Sequence, residues 1–321
     1  MRRERARCRD GSRPARRAQA RARDLGPNPG GGDGGPAGRF VLGLGNACMD
    51  TVLSVASIPA RGERRDCLDR AHFPGGQAAG AMVGCARLGL KTRFLLRTGD
   101  DEAGKIVWAG LESAGVDLRW GRRMPGVPTA RAIIVREIGG ERVVLWNTDP
   151  GLAVGPGEIR DAHFEGASAL YLDGRDGPAS LRAAQLARVR AIPVIADFDA
   201  WYDHTGALIP LVDHLVVPAS FPAPKPVPGQ SVVVTLGAGG AEARVAGQPA
   251  LHVPGFQVNA VDTTGAGDAF HAAYVYAALQ RWGLLRRLVF ANAAGACACA
   301  RLGAQSALPT LAQIEQVVGG A

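Results

Sequence analysis

The chain has 321 residues, of which 47% are hydrophobic, and a formal net charge of +8. This length and apolar content suit one large α/β domain or two small ones, and they exclude a largely disordered protein. Eleven arginines and only four acids fall in residues 1–39, so the remainder is nearly neutral and a basic nucleic-acid-binding face is not supported.

Residues 1–39 form an Arg-rich leader that ends in a Gly/Pro-rich run and shows no apolar periodicity. We expect this leader to be disordered, and a solvated tail is the simpler interpretation. A targeting role stays open because the leader is Arg-rich, although it has no apolar segment and a single Ser. The folded domain is predicted at residues 40–321.

The longest run of apolar or small residues, 290–300, is far too short to span a bilayer. The six cysteines include no CxxC pair, and no His lies at zinc-ligand spacing. We therefore predict a cytoplasmic protein with reduced thiols that binds neither membrane nor nucleic acid.

Short apolar segments alternate with longer helical patterns from residue 39 onward. RFVLGLG precedes GGQAAGAMVGCARLGL, TRFLLRTG precedes GKIVWAGLESAG, and the rhythm recurs through ALYLDG, IPVIADFD, HLVVPA and SVVVTLG. This alternation predicts a mostly parallel sheet covered by helices, with ligands beyond the carboxyl ends of the strands.

Two segments, residues 50–73 and 129–146, do not fit this rhythm. The second has the pattern of a hairpin about Gly139 and Gly140. We expect the two segments to form a small sheet that stands off the main domain. Such a lid would cover a pocket and exclude water.

The stretch DTTGAGDAF, residues 262–270, follows an extended segment and precedes an Ala-rich helical pattern. Its turn is therefore predicted at a helix N-terminus, where the N–H groups of Gly265, Ala266 and Gly267 can converge on an anion. Asp268 would then be placed to take a proton from an attacking hydroxyl. The alternative is a plain turn in which Asp268 complements the helix dipole.

This stretch resembles the C-terminal signature of the ribokinase-like (PfkB) carbohydrate kinases. Residues 73–117 are similar to the N-terminal signature region of that family, including the Gly pair at 75 and 76 and GDDxxG at 99–104. VVVTLGAGG and ANAAGACACARLGAQSALPTLAQIE also resemble family segments. The resemblance spans residues 40–321 and implies a ribokinase-like three-layer α/β sandwich with a mostly parallel central sheet and a small β-sheet lid.

The resemblance implies a catalytic group made of Asp268 as base and Gly265, Ala266 and Gly267 as anion hole. It also implies a set of substrate-binding residues: Asp50, Gly75, Gly76 and Gln77. Asp50 could instead be a turn residue, and the two glycines a plain helix start.

The nucleotide-binding residues implied by the resemblance are Thr235, Gly237, Gly240 and Asn292. Thr235 and Gly237 could equally belong to an ordinary turn, and Asn292 could be a packing residue. Asp262 matches a monovalent-cation site of the family. ATP, Mg²⁺ and K⁺ are therefore the implied cofactors.

Two departures from the family pattern stand out. Gly80 occupies about the position where the family often has an Asn that contacts sugar. Between the strands at HLVV and SVVVTL, residues 218–230 contain five prolines and no acid, where the family has one or two helices and a Glu. This segment cannot be helical, and the carboxylate that supports magnesium and phosphates is missing from it.

We predict ATP-dependent phosphorylation of a hydroxyl on a small carbohydrate. Arg64, Arg65 and Arg131 suit an anionic sugar, with Arg131 as a substrate-binding residue. One alternative is a nucleoside kinase, for which Trp146 and Phe73 could sandwich a base. The other is a non-catalytic sugar-binding or regulatory homologue, suggested by the short 218–230 crossover. A homodimer through the lid is also predicted.

Overall fold

The computed structural model describes residues 39–137, 142–301 and 303–320. The predictions for the leader up to residue 38, and for Gly139 and Gly140 at the hairpin tip, lie outside this range.

The strands are, in chain order, β1 (Phe40–Leu44), β2 (Cys48–Val55), β3 (Cys67–Gly75), β4 (Thr92–Leu95), β5 (Arg97–Gly99), β6 (Val116–Asp117), β7 (Arg122–Met124), β8 (Arg131–Glu137), β9 (Arg142–Asn147), β10 (Ala167–Leu172), β11 (Val194–Asp197), β12 (His214–Pro218), β13 (Ser231–Thr235), β14 (Ala241–Val245) and β15 (Leu251–Val253). The helices are α1 (Gln77–Arg87), α2 (Glu102–Ser113), α3 (Gly177–Val189), α4 (Thr205–Leu208), α5 (Ala266–Leu279), α6 (Leu284–Cys299) and α7 (Leu311–Gly320).

Nine strands form the main sheet, in the order β15-β14-β13-β12-β11-β10-β1-β4-β6. The pairs from β13 through β12, β11, β10, β1 and β4 to β6 are parallel, whereas β14 and β15 add antiparallel strands at one edge. β1 reads FVLGL and is buried along its whole length. A continuous apolar run is what a strand covered on both faces requires.

Helices cover both faces of this sheet and complete three layers. One core joins α1, α2, α5, α6 and α7 to alternate strand residues such as Val41, Tyr171 and Ile195. The other core joins α3 and α4 to the strand residues that face the opposite side of the sheet, such as Leu42 and Leu170. α1 and α5 approach closely because small residues meet there: a Cβ on Gly84 would lie 2.5 Å from Cβ of Ala272.

A separate four-stranded sheet, in the order β3-β2-β8-β9, forms the predicted lid. β8 and β9 pair antiparallel, as the hairpin prediction requires. β2 pairs with β8 along one edge and with β3 along the other. The three-layer architecture with its lid therefore confirms the predicted fold class.

The connection between β12 and β13, residues 219–230, contains no helix. The two strands are nonetheless neighbours and run parallel, with His214 opposite Ser231 and Pro218 opposite Thr235. Prolines block helix formation here because they lack an N–H donor and clash with the preceding turn. Among the described residues, none of the helices combines the length and the apolar composition that a transmembrane span requires.

Candidate active site

The DTTGAGDAF stretch forms a turn that ends at the N-terminus of α5, as predicted. Gly265 caps the helix in the left-handed conformation, with φ of 80°. A Cβ at this position would lie 2.6 Å from the carbonyl oxygen of Ala304, so both the dihedral and the space require glycine.

Two N–H groups of this turn are available for an anion. Ala266 donates to the carbonyl oxygen of Thr263 at 3.3 Å. Within the described ranges, the N–H groups of Gly265 and Gly267 donate no hydrogen bond. Gly267 is also exposed, and no atom stands within 4 Å of where its Cβ would be. The positive end of α5 adds to this attraction for negative charge.

Asp268 is half-buried at the first turn of α5 and lies against Gly80 of α1. A Cβ added to Gly80 would lie 2.3 Å from Oδ2 of Asp268. Burial, together with the charges of Asp197 and Asp50, raises the pKa of Asp268 well above its ordinary value, and Arg142 opposes the rise. Gly80, where the family often has an Asn, therefore leaves the space that the carboxyl group of Asp268 occupies.

His271 and Asp197 are buried side chains that lie together next to the first turn of α5, and sequence reasoning missed both. Nδ1 of His271 lies 2.7 Å from the carbonyl oxygen of Gly267, and a carbonyl can only accept. Nε2 of the same ring lies 3.3 Å from Oδ1 of Asp197 at the end of β11. The signal was available in part, because Asp197 ends a strand and His271 follows Asp268 by one helical turn.

Asp50 lies on β2 and is buried. The thiol of Cys48 donates to Oδ1 of Asp50 at 3.1 Å, and burial raises the pKa of the carboxyl group. A Cβ on Gly75 would lie 2.1 Å from Oδ2 of Asp50. Gly76 begins α1 with φ of 103° and packs on the carbonyl oxygen of Asn46. The structure therefore brings together Asp50 and the Gly pair.

Asp173, which follows β10, is a second buried acid that sequence reasoning missed. Its carboxylate accepts the N–H groups of Asn46 at 2.6 Å and Arg175 at 3.1 Å. Burial raises the pKa of Asp173 to about 7. A Cβ on Gly45 would lie 2.4 Å from this carboxylate.

Gln77 joins the ends of β10 and β11. Its Oε1 accepts Nε of Arg175 at 3.1 Å, and its Nε2 donates to Asp197 at 3.5 Å. Arg175 also pairs with Asp199 at 2.8 Å and lies over the ring of Trp146 at 4.9 Å from the centroid. This network links the main sheet to β9 of the lid.

The lid turns one arginine of β8 towards the site and another away from it. Arg136 pairs with Asp262 at 3.0 Å and bonds Ser54 at 3.2 Å. Arg131, five residues earlier, lies on the opposite face, where it pairs with Asp101 at 3.3 Å and is 53% exposed. Side chains alternate along a strand, so an odd offset separates the two faces. The structure does not bring Arg131 to the other predicted substrate-binding residues.

A cavity of about 100 Å³ lies between the lid and the α5 turn. Its lining comes from the inner face of the lid, including Asp50, Phe73 and Arg136, and from Asp262 and Thr264 of the turn. Arg142 is the register partner of Arg136, so it shares this inner face. Arg64 and Arg65 lie in the exposed segment between β2 and β3.

The predicted nucleotide-binding residues lie at the carboxyl end of β13, except for one. Thr235 ends that strand, and Gly237 and Gly240 follow it with φ of 56° and 89°. Asn292 is buried on α6, and its amide donates to the carbonyl oxygens of Val253 at 3.0 Å and Pro254 at 3.3 Å. That amide therefore fixes the chain next to Gly240, where a Cβ would lie 2.1 Å from the oxygen of Val253.

Comparison with known proteins agrees with this architecture. The sequence pattern of the pfkB family carbohydrate kinases matches residues 39–221 and 191–311. The fold and the site define a sugar kinase with a ribokinase-like sandwich. The chain belongs to the pfkB family of carbohydrate kinases.

Individual relatives match nearly the whole domain. The chain is 30% identical to the ATP-dependent ribose-1-phosphate kinase of Halopiger xanaduensis over 83% of this chain and 94% of that one. It is 26% identical to the ribokinase of Bacillus subtilis, with 87% and 99% covered. The structure of Arabidopsis thaliana ribokinase complexed with ribose and ATP superposes with a TM-score of 0.73 at 21% identity, covering 87% and 98%. The predicted family, fold and enzyme class are confirmed.

Proposed function

We propose that this kinase transfers the γ-phosphoryl group of ATP to a hydroxyl of a small carbohydrate, with Asp268 as catalytic base. The observation that carries the proposal is the position of Asp268 on the first turn of α5. The neighbouring residue Gly267 has an N–H group that donates no hydrogen bond within the described ranges. The carboxyl group of Asp268 also interacts electrostatically with Asp50, which lines the cavity. A base and an anion hole thus occupy adjacent residues.

Each residue has a part in the transfer. Asp268 takes the proton of the attacking hydroxyl while the hydroxyl oxygen bonds to the γ-phosphorus and the bond to the leaving oxygen of ADP breaks. A carboxylate with a raised pKa holds that proton more strongly than an ordinary one. The N–H groups of Gly265 and Gly267 stabilise charge on the equatorial phosphoryl oxygens.

The site fits Mg²⁺ only as an ion carried by the nucleotide. The part of the chain that the structure describes has no cluster of three His, Cys, Asp or Glu able to hold a metal ion. Kinase sites hold Mg²⁺ through substrate phosphates with one or two carboxylates. When bound, the ion neutralises charge across the β- and γ-phosphates. Thr235, Gly237 and Gly240 would lie along the nucleotide.

The residues on the inner face of the lid favour a phosphorylated carbohydrate as the substrate. Asp50 lines the cavity, where its carboxyl group would accept sugar hydroxyls. Arg142 lies on the inner face of the lid, and its charge lowers the pKa of Asp268. Among the described residues, Arg142 has no ion-pair partner. A guanidinium on the inner face of the lid suits a substrate phosphate, because it can form charge-assisted hydrogen bonds with it. The ribose-1-phosphate kinase relative makes pentose phosphates the first compounds to test.

Each of the two alternative functions is supported by one observation. Phe73 lines the cavity, which a nucleoside kinase would use for a base, whereas Trp146 is already covered by Arg175. A non-catalytic sugar-binding protein is suggested by residues 219–230, which offer neither helix nor acid. Turnover separates this last function from the other two.

The test is ADP release from Mg-ATP against ribose, ribose 1-phosphate, ketoses, other phosphosugars and nucleosides, with Asp268→Asn as control. We expect turnover on a sugar phosphate and a loss of about 10²–10⁴-fold in the variant. Turnover on nucleosides alone would select the nucleoside kinase. Sugar binding by calorimetry without turnover on any compound would select the non-catalytic protein.

We also propose a homodimer through the outer face of the lid. Ile133 and Leu145 lie opposite each other in register, and both are exposed with Leu68 and Val143. Exposed apolar patches of this kind mark interaction surfaces. Light scattering of the wild type and of Leu145→Glu tests this, since the variant should be monomeric. The cytoplasmic location stays a prediction.

A further inference from the structure

Asp262 holds the turn that forms the anion hole. Its Oδ1 accepts the N–H of Thr264 at 3.0 Å, and its Oδ2 accepts the N–H of Gly303 at 3.1 Å. Gly265 follows Thr264 directly and packs on Ala304, which follows Gly303. One buried carboxylate therefore ties together both segments that position the Gly265 N–H.

The lid supplies the positive charge that this carboxylate needs. Nη1 of Arg136 lies 3.0 Å from Oδ2 of Asp262, and both side chains are mostly buried, at 23% and 6% exposed. Nη2 of Arg136 donates to Ser54 of β2 at 3.2 Å, which fixes the guanidinium from the other side. A mostly buried ion pair of this kind is costly to break, because one charge is then left without its partner.

A monovalent metal ion does not fit beside Asp262 while Arg136 stands there. Oδ2 already receives two donors, one of them charged, and Oδ1 receives a third. An ion within coordinating distance of Oδ2 would stand a few ångströms from the guanidinium, and like charges at that separation repel strongly away from bulk water. The K⁺ site that the resemblance implies at Asp262 is thus occupied by a side chain of the protein.

We infer that the guanidinium of Arg136 is the resident cation of the anion-hole turn, so that this kinase requires no monovalent metal ion. Arg136 is a positioning residue: its guanidinium fixes Asp262, which holds the turn that carries Gly265. Because Arg136 belongs to the lid, the position of the lid sets the geometry of the anion hole. This inference rests on the structure of the turn and needs the proposed function only for its kinetic arm.

The test compares wild type, Arg136→Gln and Arg136→Lys in KCl and in tetramethylammonium chloride at equal ionic strength. The first readout is the melting temperature without substrates. We expect the wild type and Arg136→Lys to melt at the same temperature in both salts. In tetramethylammonium chloride, Arg136→Gln should melt several degrees below the wild type. KCl should restore part of this difference, because K⁺ can occupy the position that the guanidinium leaves.

Arg131→Gln is the matched control, because it removes the same charge from the same strand on the outer face. It should show no difference between the two salts. The kinetic arm measures kcat on the best substrate found: the wild type should be insensitive to K⁺, and Arg136→Gln should lose about tenfold or more and regain part of it in KCl.

Three results would overturn the inference: stimulation of the wild type by K⁺, a K⁺-dependent melting temperature of the wild type, or an Arg136→Gln protein that responds to K⁺ no more than Arg131→Gln. If Arg136→Gln does not fold, the first two results still test the inference, because they need only the wild type, with Arg136→Lys for comparison. A wild type without turnover on any compound would count against the proposed function alone, because the melting arm is independent of it.

Discussion

The carboxylate of Asp268 rests on the α-carbon of Gly80, and a Cβ at residue 80 would lie 2.3 Å from Oδ2 of Asp268. Gly80→Ala should therefore push the base out of place. We expect kcat to fall about 10²-fold, since a misplacement of about 1 Å has that effect, with a smaller change in KM. Steady-state kinetics measure both constants.

Gly84→Ala is the matched control for this prediction. It lies one turn further along α1 and strains the same helix contact, because its Cβ would lie 2.5 Å from that of Ala272. This variant should lose stability but keep kcat. Equal losses of kcat in both variants would show that helix packing, rather than the position of Asp268, is responsible.

Arg142 should discriminate between charged and neutral sugars. Arg142→Gln is expected to raise KM for a sugar phosphate about tenfold or more and to leave KM for the unphosphorylated sugar unchanged, since a charge-assisted bond contributes about 1.5–3 kcal/mol. Arg131→Gln changes the charge equally on the outer face. A larger effect of Arg131→Gln would restore the sequence-based assignment of Arg131 to the substrate.

Stability should fall between about pH 4 and pH 7 because of Asp173. Its pKa is raised from 3.8 to about 7 by burial, so the native state binds a proton more tightly than the unfolded chain. The stability from this group is complete below the unfolded pKa and is lost as the pH rises through the native one. The loss is about 4 kcal/mol at most, from the size of the shift.

Asp173→Asn removes that titration and keeps an oxygen to accept the N–H of Asn46. Urea unfolding at pH 5 and pH 8 measures the effect. The wild type should lose more stability between the two values than the variant does, and the variant should be the more stable protein at pH 8. Parallel pH curves for the two proteins would contradict the assignment.

The buried His271–Asp197 pair should behave as one unit. His271→Ala removes the ring that lies 3.3 Å from Asp197, whose carboxyl group then keeps only the longer contacts with Gln77 and Tyr171. We expect it to lower the free energy of unfolding by about 1–3 kcal/mol. The double variant with Asp197→Asn should lose less than the sum of the two single variants. Strict additivity in urea unfolding would show that the 3.3 Å contact carries no coupling.

The sequence predicted those features of the site that depend on neighbouring residues. The turn before Asp268 combines a strand end, glycines and a helix start within nine residues, so its geometry follows from local rules. The Gly pair at 75 and 76 and the helixless 219–230 connection are local in the same sense. The parallel sheet followed from the alternation of elements.

The missed features depend on contacts between distant residues. Arg136 and Asp262 are 126 positions apart, and alternation along β8 showed only that Arg131 and Arg136 oppose each other. It could not show which face points inward, because Ile133 on the outer face is also apolar. Asp173 and Asp197 both lie at carboxyl ends of strands, where ligands of a parallel sheet are expected, so this signal could have found them.

Three acids of the site lie against glycines in the same manner: Asp173 on Gly45, Asp50 on Gly75 and Asp268 on Gly80. The space for each carboxylate is made by a side chain that is missing on a neighbouring segment. A substitution at any of these glycines would therefore move a carboxyl group without altering the acidic residue itself. In a set of natural variants, glycine positions would then report on substrate choice, while the acids themselves stayed the same.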